Sequence, residues 1–354
     1  MSYQLTIEPL GETINVGERQ SILDASLRAG IYLPYACNHG LCGTCKVDVL
    51  EGEISHNHAS AFALMDIERD EGKTLACCAT LDSDVVIEAE VDDDPDAMSL
   101  PVEDFVATVS RIENLTPTIK GIWLALDGDG IEFQAGQYIN LEIPGLDQPR
   151  AFSIASAPSV RKEIELNVRF VEGGKGTTYL HEALKLGDQL PFTAPLGRFY
   201  VRKLASEPVI FLAGGSGLSS PKSMILDLLE NGDEREIVLV YGARSIVELY
   251  YVGLFKDLAE RHPNFKYFAA LSEPADDDAW AGPRCFVHEL AEKRFDGRFT
   301  GHKAYLCGPP PMVDACITSL MRGRLFEDHI FMENFFTAAD AEEPARRSAL
   351  FKKF

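Results

Sequence analysis

The chain has 354 residues, 46% of them hydrophobic and 25% charged, the composition of a folded protein of two or three domains and not of a disordered one. Its 55 acidic side chains against 33 basic ones leave a net charge of −22. That balance argues against a nucleic-acid binder and against docking on anionic lipid, both of which need clustered lysine and arginine.

The longest stretch free of charge, 29–45, has 17 residues interrupted by Gly, Pro, Asn and His. It falls short of the roughly 20 apolar residues of a spanning helix. The first residues show neither a basic nor an apolar signal segment, so a cytoplasmic chain is expected. There, eight cysteines point to metal or catalysis before disulfides.

In chain order, 3–8 and 13–16 read as two strands around a turn at Gly11. Ser21 with Asp24 three residues on forms a capping pair, and Ile22, Leu23 and Leu27 continue it as a short helix closed by Gly30. A Cys- and Gly-rich loop follows, then strands over 46–54 and 85–91. The acidic, twice-prolyl run 92–101 reads as a linker that closes a first domain at 1–98.

From 102 to 203 short strands recur at 105–109, 122–126, 138–143, 152–155 and 164–170, with one helical stretch over 178–186. This texture suggests a small antiparallel barrel. From 204 to 338 strands and helices alternate: 209–213 before a helix through Met224, 237–241 before 247–260, 267–271 before 287–293, and 304–307 before 312–321. A doubly wound parallel sheet is expected there, followed by a tail of mixed charge over 339–354.

The sharpest motif is Cys37-x4-Cys42-x2-Cys45 with Cys77 after 31 intervening residues, the ligand spacing of a plant-type [2Fe-2S] ferredoxin. Gly40 and Gly43 give the loop the clearance it needs around a cluster. Buried thiols or a zinc site are the rival readings. Zinc sites usually offer two separated C-x-x-C pairs, whereas here the distal pair is the adjacent Cys77-Cys78. Cys77 is chosen over Cys78 because Leu75-Ala-Cys-Cys-Ala79 fits the ferredoxin pattern Leu-x-Cys-x-Ala.

Arg150-Ala-Phe152-Ser153 reads either as plain barrel core or as a bidentate donor for a pyrophosphate, a ring to pack on a flavin and a hydroxyl for its edge. Gly173-Gly-Lys-Gly-Thr177 reads as a phosphate cradle or a simple turn. Gly214-Gly215-Ser-Gly217, Tyr241-Gly-Ala-Arg244 and Leu306-Cys307-Gly308-Pro-Pro-Pro311 all sit at carboxyl ends of strands, where ligands of such sheets bind. Cys307 reads either as a small buried hydrophobe or as a neighbour of nicotinamide.

Taken together and in this order, these motifs resemble the ferredoxin–NAD(P)H reductase superfamily. More narrowly, the chain is similar to reductase components of bacterial multicomponent oxygenases that carry the ferredoxin domain first. Phe62-Ala-Leu-Met-Asp-Ile-Glu-Arg-Asp-Glu71, Leu75-Ala-Cys-Cys-Ala79, Gly214-Gly-Ser-Gly-Leu-Ser-Ser-Pro221 and Ser348-Ala-Leu-Phe-Lys look most like the phenol hydroxylase reductases.

The resemblance implies a β-grasp ferredoxin, a flavin barrel and a nucleotide domain. It implies FAD on Arg150, Phe152 and Ser153, with Val168, Arg169 and Thr177 near its phosphates. NADH would lie along Gly214, Gly215, Gly217, Arg244, Cys307 and Gly308, with Glu333 by the flavin and the cluster on Cys37, Cys42, Cys45 and Cys77. Cys307 and Glu333 would position and polarise, since hydride transfer needs no general base. Two positions depart from the usual pattern: Phe152 stands where many relatives have Tyr, and Ala194 where a glycine is usual.

The implied activity is electron transfer from NADH through FAD and the cluster to a di-iron phenol hydroxylase. A Rieske-type ring dioxygenase as partner, or a redox-sensing regulatory protein, are the alternative readings. The charge is unevenly placed: residues 1–98 hold 19 acidic and 5 basic side chains, a net −14. An acidic ferredoxin domain is expected to dock its oxygenase partner by complementary charge.

Overall fold

The computed structural model describes residues 2–35, 38, 40–91, 94–275 and 279–335. Cys37, Asp92 and Asp93 of the expected linker, and the expected tail lie outside them. The chain divides into two compact units that part between residues 103 and 104.

In the first unit Leu5 and Ile7 alternate with polar neighbours along β1 (Ser2–Glu8), and β2 (Glu12–Gly17) returns antiparallel to it with Ile14 opposite Leu5. Ser21 caps α1 (Ile22–Arg28), its Oγ accepting from the Asp24 amide at 3.1 Å, while the Asp24 carboxylate holds Arg28. The helix buries Ile22, Leu23 and Leu27. Then come β3 (Lys46–Glu51), β4 (Ile54–Ser55), α2 (Asp66–Asp70), β5 (Lys73–Leu75), β6 (Thr80–Leu81) and β7 (Val85–Glu88).

Five strands form a mixed sheet in the order β2-β1-β7-β3-β5, parallel only between β1 and β7, which with α1 is a β-grasp. The strand expected over 46–54 is two strands. The chain turns at Gly52, and Ile54–Ser55 leaves the main sheet to pair with β6.

The second unit begins with β8 (Glu103–Asn114), β9 (Ile119–Ala125), β10 (Tyr138–Leu141), β11 (Arg150–Ser153), β12 (Glu163–Arg169), α3 (Lys175–Thr178) and β13 (Gln189–Leu196). Its antiparallel sheet runs β11-β10-β13-β8-β9-β12. A bridge between Ile154 and Leu166, with the Ala155 amide donating to Glu165 O at 2.7 Å, brings the two edges together into a near-closed barrel. Val109, Ile122, Leu124, Ile139, Leu166 and Phe192 fill it.

β13 escaped the sequence reading because Pro191 and Pro195 mask an alternation that buries Leu190, Phe192, Ala194 and Leu196. The helix expected over 178–186 starts earlier, at Lys175, and continues as a π turn over Tyr179–Ala183. It stops there because Leu184 turns extended to bury its side chain in the barrel.

The remaining elements are β14 (Val209–Gly214), α4 (Ser219–Glu230), β15 (Ile237–Ala243), α5 (Val252–Arg261), β16 (Phe265–Leu271), α6 (Val287–Arg294), β17 (Lys303–Gly308), α7 (Pro310–Arg322) and β18 (Ile330–Asn334). The five strands are parallel in the order β16-β15-β14-β17-β18. All six residues of β14 are buried, as expected of a central strand covered on both faces.

The strand order reverses between β14 and β17, so a crevice opens beyond their carboxyl ends. The helix expected over 247–260 starts only at Val252, because Tyr251 ahead of it takes a left-handed conformation with φ +55°. Among the described residues no helix is long and apolar enough to cross a membrane.

Candidate functional site

The cysteine loop is held by its neighbours in the first unit. Lys46 pairs with Leu75, and the Ala76 amide donates to Cys45 O at 2.8 Å, so sheet register alone places Cys45 beside Cys77. Gly40 O accepts from the Ser60 amide at 3.0 Å, which seats the loop on residues 59–64. Cys45 and Cys77 are buried and hydrogen-bonded through their thiols, and half-buried Cys42 lies close enough to act on Cys45 electrostatically.

The hydrogen bond with Cys77, then burial, push the Cys45 thiol far up. Cys77 gains from the Cys45 hydrogen bond, but the Cys78 hydrogen bond and burial still push it up to about 11. Two such sulfurs become thiolates together only when a cation supplies the missing charge.

The second constellation lies in the crevice. Gly214 ends β14 and Gly308 ends β17, and a Cβ on Gly217 would stand 2.3 Å from Cys307 O. Only a glycine lets the first turn of the β14–α4 connection lie against β17 so closely. Parallel register sets Cys307 beside Glu333 of β18.

Glu333 Oε2 accepts from Ser153 Oγ at 3.0 Å, from Ser220 Oγ at 2.8 Å and from Cys307 Sγ at 3.7 Å. One carboxyl therefore gathers a hydroxyl from the barrel, a hydroxyl from α4 and a thiol from β17. Burial raises its pKa against the pull of those three hydrogen bonds. The Cys307 thiol is likewise pushed up, by burial first and by Glu333 next. Both groups are thus suited to positioning and not to nucleophilic attack.

The other residues singled out in the sequence fall into place around this carboxyl. Arg150 is exposed at the start of β11 and donates to Gln148 O and Pro149 O, while Phe152 packs on the barrel core. The Val168 side chain lies in that core, so the residue offers a ligand only its main chain, and its carbonyl already meets His181 Nε2 at 2.8 Å. Arg169 reaches toward Gly215, its Nη1 3.6 Å from where a Cβ would be. The Thr177 hydroxyl bonds locally to Val171 and Gly174. Arg244 is exposed at the end of β15.

Sequence reasoning missed the polar seam between barrel and parallel sheet. Lys222 Nζ lies 2.6 Å from Glu165 Oε2, both side chains 6% exposed, and it also donates to Ala155 O at 3.1 Å. Tyr251 OH and Asn167 Nδ2 complete the shell of Glu165 Oε1 at 2.5 and 2.7 Å. Tyr250 OH reaches Gly215 O at 3.3 Å.

Replacing Lys222 by Met strands the Glu165 carboxylate in this seam. A loss of about 3–5 kcal/mol in unfolding free energy of the second unit is expected, measurable by urea denaturation. A change below about 1 kcal/mol would show that the pair contributes nothing.

The sequence matches three domain families in the order of these sites. They are a 2Fe-2S iron-sulfur cluster binding domain over 5–82, an oxidoreductase FAD-binding domain over 106–200 and an oxidoreductase NAD-binding domain over 211–317. It is 58% identical over 353 residues, all of both chains, to the reductase component of phenol 2-monooxygenase from Pseudomonas sp. (strain CF600). The chain belongs to the phenol hydroxylase reductase family.

The phenol hydroxylase P5 protein of Acinetobacter pittii (strain PHEA-2) is 57% identical over 99% of both chains. Among solved structures, the Amycolatopsis cytochrome P450 reductase superposes with a TM-score of 0.85 at 31% identity, over 94% of this chain and 98% of the other. The ferredoxin reductase in carbazole 1,9a-dioxygenase gives 0.79 at 28% identity, over 95% and 99%. As a member of this family the chain is an oxidoreductase that binds a [2Fe-2S] cluster, FAD and NAD, and serves an oxygenase component.

The residues present fit these groups. A two-iron cluster takes its four thiolates two per iron, which suits the close Cys45–Cys77 pair with Cys42 next to it. On the flavin side, a Cβ on Gly176 would press within 3.1 Å of Ile143 and 3.2 Å of Leu146, so the glycine lets the turn pack closely against these side chains, with Arg150 beside it. On the nucleotide side, Gly214 and Gly308 make room for the Met312 side chain, which would stand 2.4 and 2.8 Å from a Cβ there, and Gly217 lets the turn lie against β17.

Proposed function

We propose that this phenol hydroxylase reductase works in the cytoplasm, carrying electrons from NADH to a di-iron phenol hydroxylase that docks on its acidic ferredoxin module. The modules would be 1–98, 102–203 and 204–338, with 339–354 as a tail. Full-length identity of 58% to a phenol 2-monooxygenase reductase, all three modules included, is the observation that carries this reading. Bound FAD converts the two-electron hydride of NADH into the single electrons that a [2Fe-2S] cluster accepts.

Cys37, Cys42, Cys45 and Cys77 hold the cluster. Arg150 pairs with the pyrophosphate of FAD, Phe152 covers its ring and Ser153 bonds the ring edge, with Val168, Arg169 and Thr177 toward the phosphates. Gly214, Gly215, Gly217, Arg244 and Gly308 line the NADH cleft. Cys307 and Glu333 orient the nicotinamide end, and the Glu333 carboxylate favours the positive charge that develops there as hydride leaves.

In the ferredoxin module, four of the five basic side chains are tied down: Arg28 to Asp24, Lys46 to Glu68, Lys73 to Asp48 and Arg69 to Ala59 O. The acidic excess therefore dominates its field, and a basic partner surface is favoured. Raising ionic strength should slow electron transfer from cluster to hydroxylase severalfold and leave flavin reduction by NADH unchanged, as stopped-flow absorbance would record. Equal salt sensitivity of both steps would count against docking through this charge. Reconstitution with a di-iron phenol hydroxylase beside a Rieske-type dioxygenase separates the two partner classes.

A further inference from the structure

Cys78 is a buried thiol, 3% exposed, to which the proposed electron path gives no task. It is not turned into the core. Its Sγ lies 3.6 Å from Cys77 Sγ, and a Cβ on Gly40 of the cysteine loop would come within 2.5 Å of it. Gly40, at φ +72°, thus lacks the side chain that would meet the Cys78 sulfur.

The main chain of Cys78 is fixed as well. Its amide donates to Leu75 O at 2.9 Å, and its carbonyl accepts from Asn57 Nδ2 at 2.9 Å. Asn57, held at φ +47°, also donates to Thr80 Oγ1 at 3.0 Å. The thiol is thus wedged between the loop and the sulfur of Cys77 by contacts on both sides.

We propose that Cys78 tunes the cluster by donating an S–H···S hydrogen bond to the Cys77 sulfur. The inference rests on the reading of Cys77 as a cluster ligand. A ligating Cys77 is a thiolate with only lone pairs to offer, so the proton of this contact belongs to Cys78. No bond forms or breaks, and the Cys78 proton stays on its sulfur.

A donor at a ligand sulfur withdraws negative charge from it. It therefore favours the reduced cluster, which carries one electron more, and raises the reduction potential. The module needs such a local donor, because its net −14 opposes the arrival of another negative charge. Cys78 is on this account a positioning residue that acts through Cys77.

The test is a potentiometric titration of the full-length holoprotein followed by EPR, with iron content measured alongside. Cys78→Ala, which removes the donor, should keep its iron and shift the midpoint potential to a more negative value. Cys78→Ser, which keeps a donor of similar reach, should stay near the wild-type potential.

Full iron and an unshifted potential in Cys78→Ala would overturn the inference and leave the ligand assignment standing. Iron lost from Cys78→Ala but kept in Cys77→Ser would overturn the assignment itself. Iron lost from both would make Cys78 a structural support, and the tuning role would fall.

Discussion

Cys77→Ser is expected to strip the ferredoxin module of its cluster and to lower NADH-driven reduction of cytochrome c by more than about 100-fold, beyond the 10–100-fold typical of losing an outer partner. The reason lies in sheet register. Lys46 opposite Leu75 delivers Cys45 and Cys77 as a contacting pair, whereas the adjacent Cys78 sulfur is turned toward Gly40. A serine hydroxyl at position 77 binds iron poorly beside the buried Cys45.

The flavin half has its own barrel and crevice in the second unit, so reduction of FAD by NADH in the same variant should proceed at the wild-type rate. Iron analysis and stopped-flow absorbance check both halves of the expectation. A cluster retained in Cys77→Ser and lost in Cys78→Ser would reverse the assignment.

Glu333→Ala should have the second largest effect, a fall of about 100-fold in the rate of flavin reduction by NADH, with FAD still bound. Three donors from two layers, Ser153, Ser220 and Cys307, converge on one oxygen of this carboxyl. Removing it leaves buried donors unpaired and frees the seam just where nicotinamide and flavin have to meet. Glu333→Gln keeps an acceptor oxygen without the charge, and an intermediate rate is expected.

The pH dependence has a definite sign. Burial raises the pKa of Glu333 above the ordinary carboxyl value of about 4.3, so the wild-type rate should fall as pH drops through that raised value. For stability, a raised folded-state pKa means that the folded chain holds the proton more tightly than the unfolded chain. The resulting contribution is full below about pH 4.3 and is lost as pH rises through the folded value. Glu333→Gln should therefore gain stability relative to wild type as pH rises across this window. A Glu333→Ala variant that reduces flavin at the wild-type rate would remove the carboxyl from the reaction.

Much of the fold was readable because local chemistry and packing agree. The Ser21 cap, the buried run of β14 and the alternation of strand with helix after residue 205 each state one structure, and the cysteine spacing states one cofactor. The sequence misled where a residue serves a distant contact. Pro191 and Pro195 look like strand breakers, yet β13 pairs through them, with Pro191 O accepting from the Glu142 amide at 2.9 Å.

Tyr251 looks helical but bends left-handed to place its hydroxyl on Glu165, 86 residues away. Lys222, a charged residue on α4, is buried. Ser220 stood inside a recognised motif with no role of its own until it was seen on Glu333. Such contacts depend on which layers meet, and no periodicity within one segment encodes that.

The most direct measurement is anaerobic stopped-flow absorbance on the full-length chain carrying FAD and the cluster, mixed with NADH. The proposed path predicts that flavin absorbance falls first and cluster absorbance follows at a slower rate, and that the flavin phase survives unchanged in cluster-free protein. Cluster reduction by NADH in protein freed of FAD, or loss of the flavin phase with the cluster, would contradict it.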